Sequence, residues 1–201
     1  MGKVYEGITP RLRAFIEEQK VFFVASAPLA EDGHVNLSPK GRDGTLVVLG
    51  EHTLAYLDFG GSHAETMAHL RENGRITLMW CAFTGPPKVL RVHGRGTPIF
   101  RDDPRWPELI GHFAGADGPG ARAIILIEAV QVSDSCGFAV PFMDYREERT
   151  QHAQYFGRKS EDEFAAYCAS KQYNGTSIDG LPALPLPLPP RDVTSGISPK
   201  K

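Results

Sequence analysis

The sequence predicts a mainly β protein: one antiparallel barrel of six or seven strands with helices at its periphery. Three observations carry this reading. Short β-rich runs follow one another at hairpin distances from Val21 to Ser133. The helical stretches between them are too few to supply the crossover that every parallel strand pair needs. Gly94 and Gly96 interrupt the long run Lys88–Ile99, where a curling sheet needs a bulge or bend.

The elements follow in order. Thr9 is a candidate N-cap and Pro10 a first helical residue, and Leu12, Phe15, Ile16 and Gln19 then share one helix face. Val21–Ala27 is an apolar strand, and Glu31-Asp32-Gly33 is a turn before the strand His34–Ser38. Thr45–Leu49 and Thr53–Asp58 flank Gly50-Glu-His as a hairpin. Ser62–Asn73 is a helix stopped by Gly74, and its Ser62-His-Ala-Glu65 start has the pattern of a capping box. Strands Arg75–Phe83 and Lys88–Ile99 follow, joined by Thr84-Gly-Pro-Pro. Pro104–Phe113 is a short helix, Gly115–Gly120 a glycine-rich loop, and Ala121–Ser133 the most apolar strand. Two helices close the domain, Glu147–Phe156 and Ser160–Gln172, the second opened by the capping box Ser160-Glu-Asp-Glu163. One domain therefore runs to about residue 180, with its barrel at about 20–145. The proline-rich tail 181–201 is extended, either packed by its leucines onto a neighbouring surface or loose.

Composition narrows the function classes. The 201 residues are 41% hydrophobic and 23% charged, enough apolar content to bury a core without staples. Lys+Arg 22 against Asp+Glu 24 gives a formal net charge of -2, so no basic excess points to nucleic acid. No apolar run approaches the roughly 18 residues of a membrane helix, and Met1–Glu6 lack a signal-peptide core. A soluble, cytoplasmic chain is expected. Cys81, Cys136 and Cys168 are widely spaced with no Cys-x-x-Cys, as buried thiols of a reducing compartment would be. Gly-x-Gly-x-x-Gly, P-loop, His-Glu-x-x-His and Gly-x-Ser-x-Gly signatures are all missing.

Two stretches carry candidate chemistry. In His34-Val-Asn-Leu-Ser-Pro-Lys-Gly41, residues Asn36, Ser38 and Lys40 alternate along a strand and so share a face. In Gly60-Gly-Ser-His-Ala-Glu-Thr66, residues Ser62, His63 and Thr66 surround a helix N-terminus, where free amides favour an anion. A lysine converging on such a terminus makes a phosphate site. An ordinary reading stands beside it: short strands expose polar faces, and Ser38-Pro39 is common turn chemistry.

The order Asn-Leu-Ser-Pro-Lys-Gly, hairpin, Gly-Gly-Ser-His-Ala-Glu-Thr, Arg-Ile-Thr-Leu-Met-Trp-Cys-Ala-Phe, then Val-Leu-Arg-Val-His-Gly-Arg-Gly resembles the pyridoxamine 5′-phosphate oxidase-like flavoproteins over about residues 20–145. Phe138–Tyr145 and Ser177–Pro182 resemble one branch of that family. The resemblance implies a split antiparallel barrel that dimerises and holds FMN in a cleft between subunits. By position it implies Lys40 as the strand-end lysine and Asn36, Leu37 and Ser38 beside the isoalloxazine edge. Leu57 and Asp58 would stand on the strand segment whose backbone lines the flavin, and Ser62, His63 and Thr66 at the phosphate.

Departures from the family pattern set pyridoxamine phosphate aside as substrate. Ala64 stands where a lysine is usual, Val89 where a glutamine is, and the C-terminal arginine-and-histidine motif has no counterpart. The expectation is an FMN-binding oxidoreductase that acts on a small molecule as a homodimer. A deazaflavin- or haem-binding barrel and a non-catalytic flavin-binding module are the alternatives.

Overall fold

In the computed structural model the described residues are 2–61, 64–113, 118, 120–170 and 175–189. The elements are β1 (Val4–Tyr5), α1 (Pro10–Glu18), β2 (Val21–Ser26), β3 (Asn36–Gly41), β4 (Leu46–Gly50), β5 (Thr53–Phe59), α2 (Glu65–Glu72), β6 (Arg75–Cys81), β7 (Val89–Ile99), α3 (Trp106–Ile110), β8 (Ala121–Ser135), α4 (Gln151–Gly157) and α5 (Glu161–Ala169). Thr9 caps α1 as its sequence predicts, its hydroxyl accepting from the Leu12 amide at 3.3 Å, while Leu12 and Ile16 face the core. The capping box of α5 also forms: Ser160 Oγ accepts from the Glu163 amide at 3.1 Å, and Glu163 accepts from the Ser160 amide at 2.8 Å. The one forecast for α2 rests on Ser62 and so falls outside the described residues. Glu65 accepts from the Ile178 amide at 3.0 and 3.1 Å, tying the C-terminal segment to the start of α2. Ser62 lies outside the described residues.

All the strands pair antiparallel in one curled sheet, in the order β3-β2-β6-β7-β8-β5-β4. The two-residue β1, unforeseen in the sequence, adds to the far end of β8. Strands β3 and β4 are consecutive in the chain yet form the two outer edges of the path, so the barrel is split between them. A bend is built into β7 at Gly94, where the register with β8 shifts; a Cβ there would run into the Glu128 carbonyl oxygen.

Strand alternation sorts the core into two clusters. Leu54 and Tyr56 of β5 and Ala123, Ile125 and Ile127 of β8 join the main cluster, with Trp80, Leu78, Leu90 and Met67. Ala55 and Leu57, with Ile124 opposite, turn the other way into a smaller cluster with Leu109 and Phe113. Coverage on both faces explains why β8 opens with an almost unbroken apolar run. Each fully buried side chain of this size contributes about 1.5–3 kcal/mol. The proline-rich segment also joins the fold, with Ala183 and Leu184 buried in the main cluster. Residues 190–201 lie outside the described residues.

One sequence expectation about a single side chain is corrected. Cys136 is exposed, because it follows the end of β8 rather than packing beneath it; Cys81 and Cys168 are buried free thiols. His69 of α2, which no sequence pattern singled out, is wholly buried. No helix among the described residues is long and apolar enough to cross a membrane.

Candidate functional site

A cavity of about 950 Å³ lies between the inner face of β3, the end of β5, the start of α2 and the segment 145–152. That volume is in the range of small-molecule and cofactor sites. Its wall on the β3 side follows from period-2 alternation: Asn36, Ser38 and Lys40 are half-buried on the cavity side, while Leu37, Pro39 and Gly41 turn outward.

A neutral hydrogen-bond network holds the first of these residues. Asn36 Nδ2 donates to Thr66 Oγ1 at 2.9 Å and, more weakly, to Ser26 Oγ at 3.5 Å. Ser38 Oγ donates to Asn36 Oδ1 at 3.1 Å. Ser26 Oγ also meets His69 Nδ1 at 3.0 Å, so the network ends on a buried imidazole whose Nε2 has no partner among the described residues. Burial pushes the His69 pKa below the usual histidine value, which keeps the ring neutral at pH 7.

An ionic cluster holds the other end of β3. Asp58, 3% exposed, accepts from Arg122 Nε at 2.5 Å and from Lys40 Nζ at 3.3 Å. Burial alone would raise the Asp58 carboxyl, but Arg122 and then Lys40 outweigh it and hold the pKa below the ordinary value. Arg122 reaches Asp58 through a β-bulge. Asp58 pairs with Ala123 and Phe59 with Ala121, which leaves Arg122 as the extra residue between them.

A third group closes the cavity opposite β3. Arg42 has a φ of 77° in the turn after β3, and its guanidinium lies 4.7 Å from the centre of the Phe59 ring. Its Nη1 is buried with no partner among the described residues, a donor set aside from water. His152 on α4 donates from Nε2 to the Gly60 carbonyl at 3.0 Å and packs 4.6 Å from the Phe156 ring. At the rim, Glu148 accepts from the Asp43 amide at 3.1 Å.

Of the residues singled out in the sequence, Asn36, Ser38, Lys40, Asp58 and Thr66 converge on this cavity. Leu37, a residue 64% exposed, borders it from the outer face of β3. Leu57 does not line it: alternation sends its side chain into the smaller core cluster while Asp58 faces the cavity. Ser62 and His63 lie outside the described residues. Among the cavity residues that the sequence did not single out are Arg122, Arg42 and His152. The signal for Arg122 was available, because a lone arginine in an otherwise apolar strand requires a buried counter-charge.

Comparison with known proteins places this geometry in a family. The family model described as Pyridoxamine 5'-phosphate oxidase matches residues 8–136. The chain is 37% identical over 192 residues to the Pyridoxamine 5'-phosphate oxidase family protein ustO of Aspergillus flavus, an alignment spanning 90% of this chain and 77% of that protein. In fold it is similar to the HupZ structure from Group A Streptococcus, with a TM-score of 0.50 at 18% identity over 62% of this chain and 91% of that one. It is also similar to an FMN-binding protein of Syntrophomonas wolfei, with a TM-score of 0.47 at 14% identity over 60% and 80%. Other solved chains of this kind include an FAD-binding protein and a haem storage protein. At 18% identity the HupZ structure shows the fold alone, whereas the family model and the Aspergillus relative settle membership. The split barrel, and the strand order that brings β3, β5 and α2 around one cavity, are those of a chain that belongs to the pyridoxamine 5'-phosphate oxidase family.

Proposed function

We propose that this chain is an FMN-dependent oxidoreductase, working as a homodimer in the cytoplasm on a small-molecule substrate. The observation that carries this reading is the charge layout of the cavity. Lys20, Lys40, Arg42, Arg122 and Arg149 line it with four carboxylates, of which Asp58 alone is buried, an excess of positive charge that suits a phosphate group. The rim carboxylates Glu65 and Glu148 already accept from backbone amides. Arg42 Nη1 adds a buried donor in need of an acceptor.

On this reading Lys40, Arg42 and the first turn of α2 hold the phosphate. Asn36, Ser38 and Thr66 offer polar contacts to the ribityl chain and ring edge, on a wall pre-oriented by their mutual hydrogen bonds. Asp58 stays ionised and fixes Lys40 and Arg122 in place. When bound, the flavin supplies reversible hydride or single-electron transfer. Exposed Val35 and Leu37 near the outer edge of the sheet, with Phe138 and Phe142, supply apolar surface for a subunit interface. Haem is less well served. His152 is the only histidine lining the cavity among the described residues, and its Nε2 is committed to the Gly60 carbonyl.

The test is the visible spectrum of freshly purified protein, with the released chromophore weighed by mass spectrometry. A flavin spectrum and the mass of FMN are expected, together with an FMN affinity at least about tenfold weaker in Lys40→Ala. A colourless protein that takes up no FMN on titration overturns the reading.

A further inference from the structure

We propose that His152 is a positioning residue of the cofactor cavity: from α4 it fixes the Gly60–Gly61 turn, and through that turn it sets the affinity for the phosphorylated cofactor. Gly60 is gripped on three sides. Its amide donates to the Gly120 carbonyl at 2.7 Å, and its carbonyl accepts from His152 Nε2 at 3.0 Å. Phe156 and Phe164 pack so closely that a Cβ on Gly60 would come within 2.8–3.0 Å of their rings.

The chemistry of the pair fixes the tautomer. A carbonyl oxygen only accepts, so a neutral ring must carry its proton on Nε2 and leave a lone pair on Nδ1. Burial, with Arg42 and Lys40 nearby, disfavours the imidazolium and outweighs the carbonyl that favours it. The ring is also held by contact: it meets Phe59 edge-on at 5.4 Å and lies 4.6 Å from Phe156. One imidazole thus joins the last residue of β5, the turn after it and α4, all bordering the cavity except Phe156. By linkage, a cofactor that needs the turn in this geometry stabilises α4 in return.

The affinity arm rests on the FMN reading above, and a second arm does not. His152→Phe keeps an aromatic ring on α4 and removes the donor, whereas His152→Gln returns an N–H near the position of Nε2. Hydrogen exchange at the Gly60 amide, in full-length protein freed of cofactor, reports the turn directly. We expect exchange about tenfold faster in His152→Phe, an FMN dissociation constant raised about tenfold, and both restored to within about threefold in His152→Gln. Unchanged Gly60 exchange in His152→Phe overturns the proposal whether or not FMN binds. A glutamine variant that behaves like the phenylalanine variant overturns it too, because ring packing alone is then at work. If the wild type takes no FMN but exchange responds as expected, His152 positions the turn and the flavin reading falls by itself.

Discussion

Strand β3 carries two polar networks of opposite kind on one face. Near its start, Asn36 and Ser38 are joined by neutral hydrogen bonds to Thr66 and, through Ser26, to His69. Near its end, Lys40 shares the Asp58 carboxylate with Arg122. Each neutral bond exchanges a water contact for a protein contact at a net gain of about 1 kcal/mol, so losing one member leaves the rest serviceable. The ionic end is all-or-none. Asp58 and Arg122 are both buried and carry large desolvation costs, and removal of the carboxylate takes away the anion that Arg122 and Lys40 share. The neutral end sets shape, and the ionic end sets charge at a cost that only a complete cluster offsets.

The sharpest way to break that contrast is Asp58→Ala. Urea denaturation should show a loss of about 3–5 kcal/mol, the range for breaking a buried pair from one side. Asp58→Asn should lose most of the same amount, because an amide hydrogen-bonds without neutralising charge. A loss below about 1 kcal/mol for both would mean that solvent reaches the cluster and that the contrast is false.

Acid titration separates the two ends by pH. The folded-state Asp58 pKa lies below 3.8, so the cluster's contribution is fully present above that pH and is lost only as pH falls further. His69 also has a depressed folded pKa, but its unfolded value is near 6.5. Between those values the unfolded chain takes up a proton that the folded chain refuses, so stability declines as pH drops below about 6.5. Glu65, Asp179 and Glu72 face His69 and favour its charged form, while burial and Arg75 oppose it, burial most strongly. His152 adds to the decline, its folded pKa being lowered as well. His34, raised by its bond to Asp179, acts in the opposite sense, stabilising at low pH and losing that contribution as pH rises through its raised value. Replacing His69 with asparagine should flatten the decline between about pH 7 and 5 and leave the steeper loss below about pH 4 in place. An unchanged slope in the upper window would remove His69 from the account.

These two ends were not equally legible in the sequence. The alternation of Asn36, Ser38 and Lys40 places them on one strand face from the sequence alone, because a period of two is a local property. The same rule, applied to the strand Thr53–Asp58, puts the Leu57 and Asp58 side chains on opposite faces, the leucine in the core and the aspartate at the cavity. Arg122 and His69 depend on tertiary pairing. The arginine becomes a cavity residue through a bulge opposite Asp58 and Phe59, and the histidine is buried by the serine and helix packed around it. The helix cap at Thr9 and the capping box at Ser160 formed because each partner lies three residues away. Glu65 takes the Ile178 amide as a partner from 113 positions away, and no local pattern announces such a contact.

The mildest perturbations test whether the two networks are separate. Asn36 and Lys40 are four residues apart on an extended strand, about 13 Å along its axis, and no hydrogen-bond partner is shared between them. Asn36→Ala should cost about 1 kcal/mol, and Thr66→Val a similar amount. The double variant should cost less than their sum, because each single change already removes the same bond. Asn36→Ala combined with Lys40→Met should instead be additive to within about 0.5 kcal/mol. Coupling in the second pair as large as in the first would show that charge at one end of β3 is felt by the amide at the other. The wall would then be a single unit, and a ligand anion held at Lys40 would reorganise the contacts offered by Asn36.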